Sequence, residues 1–177
     1  MISEQAKQRM RDMAARYPVA RSAVMPALYI AQQEEGYITQ PALEAVAEAI
    51  GMTVDDVESV ATFYTMYYQQ PPGKKVIKVC TSISCYLRNC DSLVNHLEHR
   101  LGIKRGETTA NGNYTLMTAE CLASCGTAPV IQVNDEFVEN VTPAMTDALI
   151  DEWERELQTE KNEMPTLTTP GCPLRVP

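Results

Sequence analysis

A break at residues 69–75, "QQPPGKK", divides the sequence into two stretches with different patterns of apolar residues. Its two prolines and its glycine cannot continue a helix, so the helical pattern before the break must end there. Val- and Ile-rich runs that favour β-strands follow it. We therefore predict a small helical bundle over 1–72 and an α/β domain over 73–158, followed by an extended Pro-rich tail over 159–177.

The first stretch predicts four short helices, because residues that start and stop helices flank each periodic run of apolar residues. Ser3 is a candidate N-cap of the first helix, and Gly36 and Gly51 can end the second and third in the left-handed conformation. The fourth helix is predicted to open at Thr53 with a capping box and to run through residues 57–68, "VESVATFYTMYY".

The second stretch predicts the element order β-α-β-β-β-α, which is typical of a compact α/β unit with a mixed sheet. A helix over 90–102 is expected to be capped near Asp91 or Ser92 and to end at Gly102. A hairpin is expected to turn at residues 134–135. The last helix should begin after Thr142, with one apolar face that consists of Met145, Leu149 and Trp153.

Charge and hydropathy narrow the classes of partner. Fifteen Lys and Arg against 23 Asp and Glu give a net charge of -8, which disfavours a nucleic-acid partner. The N-terminus lacks the apolar core of a signal peptide, and no window approaches the roughly 20 apolar residues of a membrane span. We therefore expect a protein of a reducing compartment without direct membrane insertion. Its six cysteines are then more often metal ligands or redox groups than disulfides.

Four of the cysteines form two pairs, each of which follows a predicted strand. Cys80 ends the first strand and Cys85 lies in the loop behind it, whereas Cys121 and Cys125 lie in the loop after the next strand. Loops from neighbouring parallel strands can converge and bring four thiolates together. Structural zinc usually takes a C-x2-C pair, and a [2Fe-2S] cluster tolerates a wider gap such as C-x4-C. Thiolates bind both, so this chemistry leaves both metals open.

Other roles for these cysteines fit the sequence less well. Free cysteines often act as small buried hydrophobes, but core packing explains two pairs in loops poorly. A thioredoxin-like redox pair would need C-x2-C, which the sequence lacks. Cys90, at the mouth of a helix, and Cys172, in the tail, are interpreted as bystanders. His96 and His99 fall on a charged helix face, which favours a solvated surface over a ligand pair.

The order of motifs resembles the thioredoxin-like [2Fe-2S] subunit of the NADH dehydrogenase module of respiratory complex I, NADH:quinone oxidoreductase. The resemblance extends to about Leu157 and is most specific in the two cysteine motifs. The segments that carry it are "AVMPALYIAQQEEGYI", "VATFYTMYY", "VCTSISC" and "ECLASCGTAPVIQVND". It implies a thioredoxin-like fold for 73–158, and it raises iron-sulfur over zinc.

The resemblance also implies a site and a role. Cys80, Cys85, Cys121 and Cys125 would hold a low-potential [2Fe-2S] cluster that exchanges one electron with the FMN of a neighbouring NADH-binding subunit. The cluster would lie off the main path to quinone, and the chain itself would bind neither FMN nor NADH. This agrees with the lack of a Gly-rich nucleotide or flavin motif in the sequence. Other peripheral-arm subunits would be further partners.

The expected location is cytoplasmic, peripheral on the inner face of the plasma membrane through the complex, or on the matrix side if mitochondrial. Three alternatives stay open. The chain could be the equivalent subunit of an NAD-linked hydrogenase or formate dehydrogenase, which share these motifs. It could be a zinc-bound structural adaptor, in which the same thiolates hold a closed tetrahedral site. It could also be a free-standing ferredoxin shuttle.

Two further expectations concern side chains around the site and the partner. The hydroxyls of Thr81, Ser82 and Ser84, together with loop amides, could donate hydrogen bonds to the sulfurs and raise the reduction potential. The helix that ends in "SVATFYTMYY" carries more apolar surface than one face needs, so part of it, with the tail, is predicted to pack on a partner. A plain core helix is the alternative.

Overall fold

The computed structural model describes residues 1–162, and its chain divides into two units between Lys74 and Lys75. The first unit is helical and the second contains the sheet. The final helix continues to Asn162, so the first part of the segment predicted as a tail is helical instead. The rest of that segment, with Cys172, lies outside the described residues.

Four α-helices and one short 3-10 turn form the first unit. Their bounds are Glu4–Ala14 (α1), Ala20–Ala23 (the 3-10 turn), Val24–Glu35 (α2), Gln40–Ile50 (α3) and Val54–Phe63 (α4). The hydroxyls of Ser3, Thr39 and Thr53 accept amide hydrogen bonds in the first turns of α1, α3 and α4. Gly36 and Gly51 end α2 and α3 in the left-handed conformation, as predicted. The largest fully buried side chains of this unit are Met10, Leu28, Val24, Val46 and Val57.

The prediction that the fourth helix runs through residue 68 is wrong, because α4 ends at Phe63 and the backbone of Tyr64 is extended. This turn brings the side chain of Tyr67 into the core, where its hydroxyl donates to the carbonyl of Met25. The Tyr68 amide donates to the side-chain oxygen of Gln32 at 2.7 Å. Helix α4 therefore ends earlier than predicted, and the ring of Tyr67 is buried.

Up to Asn162, the second unit contains a four-stranded mixed sheet and three α-helices. The strands are Lys75–Cys80 (β1), Tyr114–Ala119 (β2), Ile131–Val133 (β3) and Glu136–Val138 (β4). The helices are Ile83–Leu87 (α5), Cys90–Leu101 (α6) and Pro143–Asn162 (α7). The strand order is β2-β1-β3-β4, in which β1 is parallel to β2 and antiparallel to β3. The mixed sheet predicted from the order of the elements is confirmed.

Two helix details of this unit differ from the sequence-based expectation. Helix α6 begins at Cys90 after Asn89, whose left-handed backbone provides the turn out of α5, so neither Asp91 nor Ser92 is its cap. Helix α7 begins as predicted, with the Met145 amide donating to the Thr142 hydroxyl. Its buried face, however, consists of Thr146, Ile150, Trp153 and Leu157, and Met145 is exposed.

None of the helices within residues 1–162 combines the length and the apolar composition that crossing a bilayer requires.

Candidate metal centre

The two cysteine pairs leave the sheet at the same edge. Cys80 is the last residue of β1 and pairs in register with Ala119, the last residue of β2. Because the two strands are parallel, the segments that follow them start side by side. Cys85 lies in α5, which follows β1, rather than in the loop that the sequence suggested. Cys121 follows β2, and Cys125 opens a 3-10 turn over Cys125–Thr127.

The sulfur of Cys80 is the point where the two segments meet. The thiols of Cys85 and Cys121, one from each pair, both act on the pKa of Cys80. Burial opposes the ionisation of Cys80, but the amides of Ser82 and Leu122 donate to its sulfur, and with the two neighbouring thiols they lower its pKa. Within the first pair, this environment favours the thiolate at Cys80.

The partner thiol of Cys85 has the opposite tendency. Burial and the neighbouring Cys80 raise the pKa of Cys85 to about 11, although the Val130 amide acts in the other direction. The neighbouring buried thiols of Cys80 and Cys85 therefore differ in how readily each loses its proton. Metal binding needs both as thiolates and would release the proton that Cys85 retains.

The second pair is more accessible to solvent. Cys121 and Cys125 are exposed, whereas Cys80 and Cys85 are 4% and 2% exposed. The Ala123 amide donates to the Cys121 sulfur at 3.3 Å. The 3-10 turn that Cys125 opens lies against α5, which contains Cys85. Within the part of the chain that is described, no three Cys, His, Asp or Glu side chains already stand in a metal-binding arrangement.

The donor set fits a metal that prefers sulfur. The Ala123 amide donates to the Cys121 sulfur, and the amides of Ser82, Leu122 and Val130 act on the thiols of Cys80 and Cys85 in the direction that favours the thiolate. Amide donors aimed at sulfur are what a thiolate ligand needs and what a cysteine acting as a buried hydrophobe does not.

The expected hydroxyl donors contribute differently. The Thr81 hydroxyl donates to the carbonyl of Ala119 at 3.2 Å, which ties the end of β1 to β2, and Ser82 supplies its amide to Cys80. The described hydrogen bonds to the sulfurs thus come from the backbone and not from the hydroxyls of Thr81, Ser82 and Ser84. Loop conformation, rather than hydroxyl content, determines which donors reach the sulfurs.

The remaining cysteines and histidines have other surroundings. Cys90 is fully buried at the start of α6 within the core of the second unit, and burial raises its pKa. Its interpretation as a bystander stays a prediction. His99 is exposed, and the partly exposed His96 lies with its Nε2 2.8 Å from a carboxylate oxygen of Asp147 on α7.

One residue near the second pair carried no obvious signal in the sequence. The carboxylate of Glu139, just after β4, accepts hydrogen bonds from the hydroxyls of Ser124 and Thr127, which flank Cys125. These two hydroxyls lower the pKa of Glu139. A pattern of two hydroxyls around a cysteine, with a carboxylate at the end of the following hairpin, could have indicated the contact.

Known proteins resemble this chain over most of its length. A subunit of the NADH-quinone oxidoreductase of Rhizobium meliloti is 46% identical over 79% of this chain and 83% of its own. NADH-quinone oxidoreductase subunit 2 of Thermus thermophilus is 43% identical over 85% of both chains. A subunit of the NADH-quinone oxidoreductase of Mycobacterium tuberculosis is 38% identical over 93% of this chain, which spans 64% of that relative's length.

A solved structure shares the fold. An NAD+-reducing [NiFe]-hydrogenase in the air-oxidized state superposes with a TM-score of 0.65 over 78% of this chain and 24% of that chain, at 23% identity. At that identity the likeness concerns the fold alone. The model of the family described as thioredoxin-like [2Fe-2S] ferredoxin matches residues 10–154, which include both cysteine pairs. The chain belongs to the thioredoxin-like [2Fe-2S] ferredoxin family.

Proposed function

We propose that this chain is the electron-transfer subunit of an NADH:quinone oxidoreductase, in which Cys80, Cys85, Cys121 and Cys125 hold a low-potential [2Fe-2S] cluster. The observation that carries the ligand assignment is that the parallel strands β1 and β2 end in register, so that the two cysteine-bearing segments start side by side. Family membership and the relatives named as subunits of this oxidoreductase support the assignment of the complex.

The cluster supplies one-electron chemistry when bound, and this chain's residues set the conditions for it. The amides around the sulfurs stabilise negative charge and so raise the reduction potential. The four thiolates and the chain's net charge of -8 disfavour an added electron and so lower the reduction potential. We expect the negative charge to dominate and the reduction potential to be low. Hydride transfer falls to another chain, because the sequence contains no nucleotide-binding or flavin-binding motif. The isolated chain is then a carrier and not a catalyst.

The electron partner in this proposal is a neighbouring subunit that binds FMN and NADH. Ile83, Tyr86 and Leu87 on α5 are 69%, 59% and 77% exposed, and the same helix contains Cys85. Exposed apolar side chains in such a group are typical of a protein interface. A partner seated on α5 would cover the end of the sheet where the sulfurs meet, which shortens the path of the electron.

The first unit offers another exposed apolar group that belongs to the same proposal. Phe63, Tyr64 and Met66 are exposed at and beyond the end of α4, whereas Tyr67 is buried. The predicted packing of this segment on a partner therefore concerns residues 63–66 only. Further subunits of a peripheral arm would place the chain at the inner face of the plasma membrane, or on the matrix side if mitochondrial, without a membrane helix of its own in residues 1–162.

The experiment is an anaerobic purification of the full chain, followed by optical spectra and low-temperature EPR before and after dithionite. We expect a brown protein with about two irons and two sulfides per chain that is EPR-silent until it is reduced. Cys121→Ser should lose or alter the signal, whereas Cys90→Ala, the matched control, should keep it. A colourless protein with one zinc ion would replace this proposal with the zinc adaptor.

A pull-down under the same conditions distinguishes the related complexes. Recovery with subunits of an NADH:quinone oxidoreductase supports the proposal. Recovery with hydrogenase or formate dehydrogenase subunits would assign the chain to those enzymes. Recovery of the iron-sulfur protein alone would favour a free ferredoxin shuttle.

A further inference from the structure

The carboxylate of Glu139 contacts the loop that contains the second cysteine pair. Its Oε1 atom accepts a hydrogen bond from the Ser124 hydroxyl and another from the Thr127 hydroxyl at 2.7 Å. Ser124 precedes Cys125 directly, and Thr127 ends the 3-10 turn that Cys125 opens. The Oε1 atom of Glu139 thus binds the side chains at both ends of the turn that contains Cys125.

The two hydroxyls also contact each other, which makes the arrangement a closed group. Their oxygens lie 2.8 Å apart, and the Thr127 hydroxyl lies 3.2 Å from the Ser124 carbonyl. Two hydroxyl hydrogens are available, and the carboxylate is the strongest acceptor within their reach. Hydrogen bonds to an ionised acceptor are shorter and stronger than neutral ones, so Glu139 determines how the group is oriented.

Backbone hydrogen bonds hold the neighbouring segment independently of the Glu139 side chain. The Asn140 amide donates to the Thr127 carbonyl at 2.7 Å, and the Val141 amide donates to the Pro129 carbonyl at 2.9 Å. Helix α7 begins immediately afterwards, at Pro143. Replacing the Glu139 side chain therefore removes its contact with the cysteine loop and leaves the attachment of this segment in place.

We propose that Glu139 is a positioning residue for the Cys121–Cys125 loop, which fixes the turn around Cys125 in the conformation that binds the cluster. This inference rests on the proposed function, because it takes Cys121 and Cys125 as ligands. Cys121 already has the Ala123 amide as a nearby donor. For Cys125, the turn is held by the backbone hydrogen bond from Asn140 to Thr127 and by its packing on α5, and Glu139 adds the side-chain contacts at both ends of the turn.

The test compares three variants of the full chain. Glu139→Ala removes the acceptor, whereas Glu139→Gln keeps a side-chain oxygen that both hydroxyls can reach. Glu136→Ala removes an exposed carboxylate from the same hairpin and is the control for charge. The readouts are the g-values of the reduced cluster, its midpoint potential and the half-time of iron loss to a chelator.

Glu139→Ala should shift the g-values and lose iron about tenfold faster than wild type, as is typical when support behind a ligand is removed. Glu139→Gln should keep the wild-type g-values and raise the potential, because it removes a negative charge. Glu136→Ala should match wild type in g-values and iron loss. The inference is overturned if Glu139→Ala matches wild type in the g-values and in the rate of iron loss, or if Glu136→Ala reproduces its change.

A measurement on the metal-free protein separates this inference from the proposed function. Amide hydrogen exchange over residues 121–128 should be faster in Glu139→Ala than in wild type, because the turn loses its side-chain contacts. Unchanged exchange would overturn the positioning role whether or not the wild type binds a cluster. A wild type without a [2Fe-2S] cluster, but with faster exchange in the variant, would overturn the proposed function and leave the loop contact established.

Discussion

The hydroxyl of Tyr67 donates a 2.8 Å hydrogen bond to the backbone carbonyl of Met25, on a helix more than forty positions earlier. This contact anchors the segment that leaves α4 to the core of the first unit. Burial raises the pKa of Tyr67 to about 12, with smaller contributions from Tyr64 and Tyr29. The buried phenol is therefore a donor that must stay protonated.

Tyr67→Phe should lower the free energy of unfolding by about 1 kcal/mol, the usual net value of such a hydrogen bond. Because the folded-state pKa lies above the ordinary value of 10.0, the wild-type contribution is complete below pH 10 and is lost as the pH rises toward 12. Urea denaturation at pH 7 and over the alkaline range measures both effects. Tyr17→Phe, at an exposed ring, is the control, and an equal loss there at pH 7 would contradict the explanation.

Gly36→Ala should destabilise the first unit by about 1 kcal/mol, because an alanine is strained in the left-handed conformation. Gly36 has a φ of +83°, and an added Cβ would meet no atom within 4 Å, so the cost is conformational and not steric. Gly36→Asn should lose less, since asparagine tolerates this conformation. Thermal denaturation followed by far-UV circular dichroism ranks the three proteins, and equal midpoints for the two variants would argue against this cause.

Arg100→Met should destabilise the second unit by about 1 kcal/mol at low salt. The guanidinium lies 2.6 Å from a carboxylate oxygen of Asp151 and within 3.7 Å of Asp147 and Glu154, so it links α6 to α7. Its removal leaves three carboxylates near one another. The measurement is urea denaturation in low salt and in about 1 M salt, where screening should reduce the difference. A difference that is independent of salt would assign the loss to packing instead.

Leu87→Glu should leave the EPR spectrum of the cluster intact and weaken binding to the proposed FMN-containing partner by at least about tenfold. The physical reason is a charge placed within an apolar contact on α5. Phe137→Glu, at a 52% exposed position on β4, is the matched control. Binding is measured by titration of the purified partner subunit. Equal weakening by both variants would place the interface elsewhere.

Local signals explain why much of the fold was predictable. Capping interactions act within one turn of a helix, so a short window of sequence is enough to predict them. The examples here are the N-caps Ser3 and Thr39 and the C-terminal glycines Gly36, Gly51 and Gly102. The strands of the sheet were also visible, because β-branched residues concentrate in them.

Features that depend on distant contacts were not predictable. The end of α4 is determined by the burial of Tyr67 against helices remote in sequence, and no pattern within residues 57–68 reveals it. Helix α5 is too short to show a period. The face that α7 buries depends on what packs against it, and so the predicted place of Met145 on that face was wrong.

The candidate site, like the fold, was predictable only where its signals are local in the sequence. Cysteine spacing indicated the two pairs, and the parallel pairing of β1 with β2 follows from the element order. The donors around the sulfurs are backbone amides, which every residue but proline has, so no side chain marks them. Glu139 lies twelve or more positions from its partners Ser124 and Thr127, and the path of the cysteine loop that brings them together is not marked by any local pattern.

The in-register pairing of Cys80 with Ala119 limits how the lengths of these two strands can evolve. Each strand residue advances the chain by about 3.3 Å and reverses the side-chain direction, so a one-residue insertion or deletion within β1 or β2 would shift one cysteine pair past the other and turn it to the opposite face. Length changes in surface loops away from the site carry no such cost. Among related sequences, insertions should therefore be excluded from the two strands.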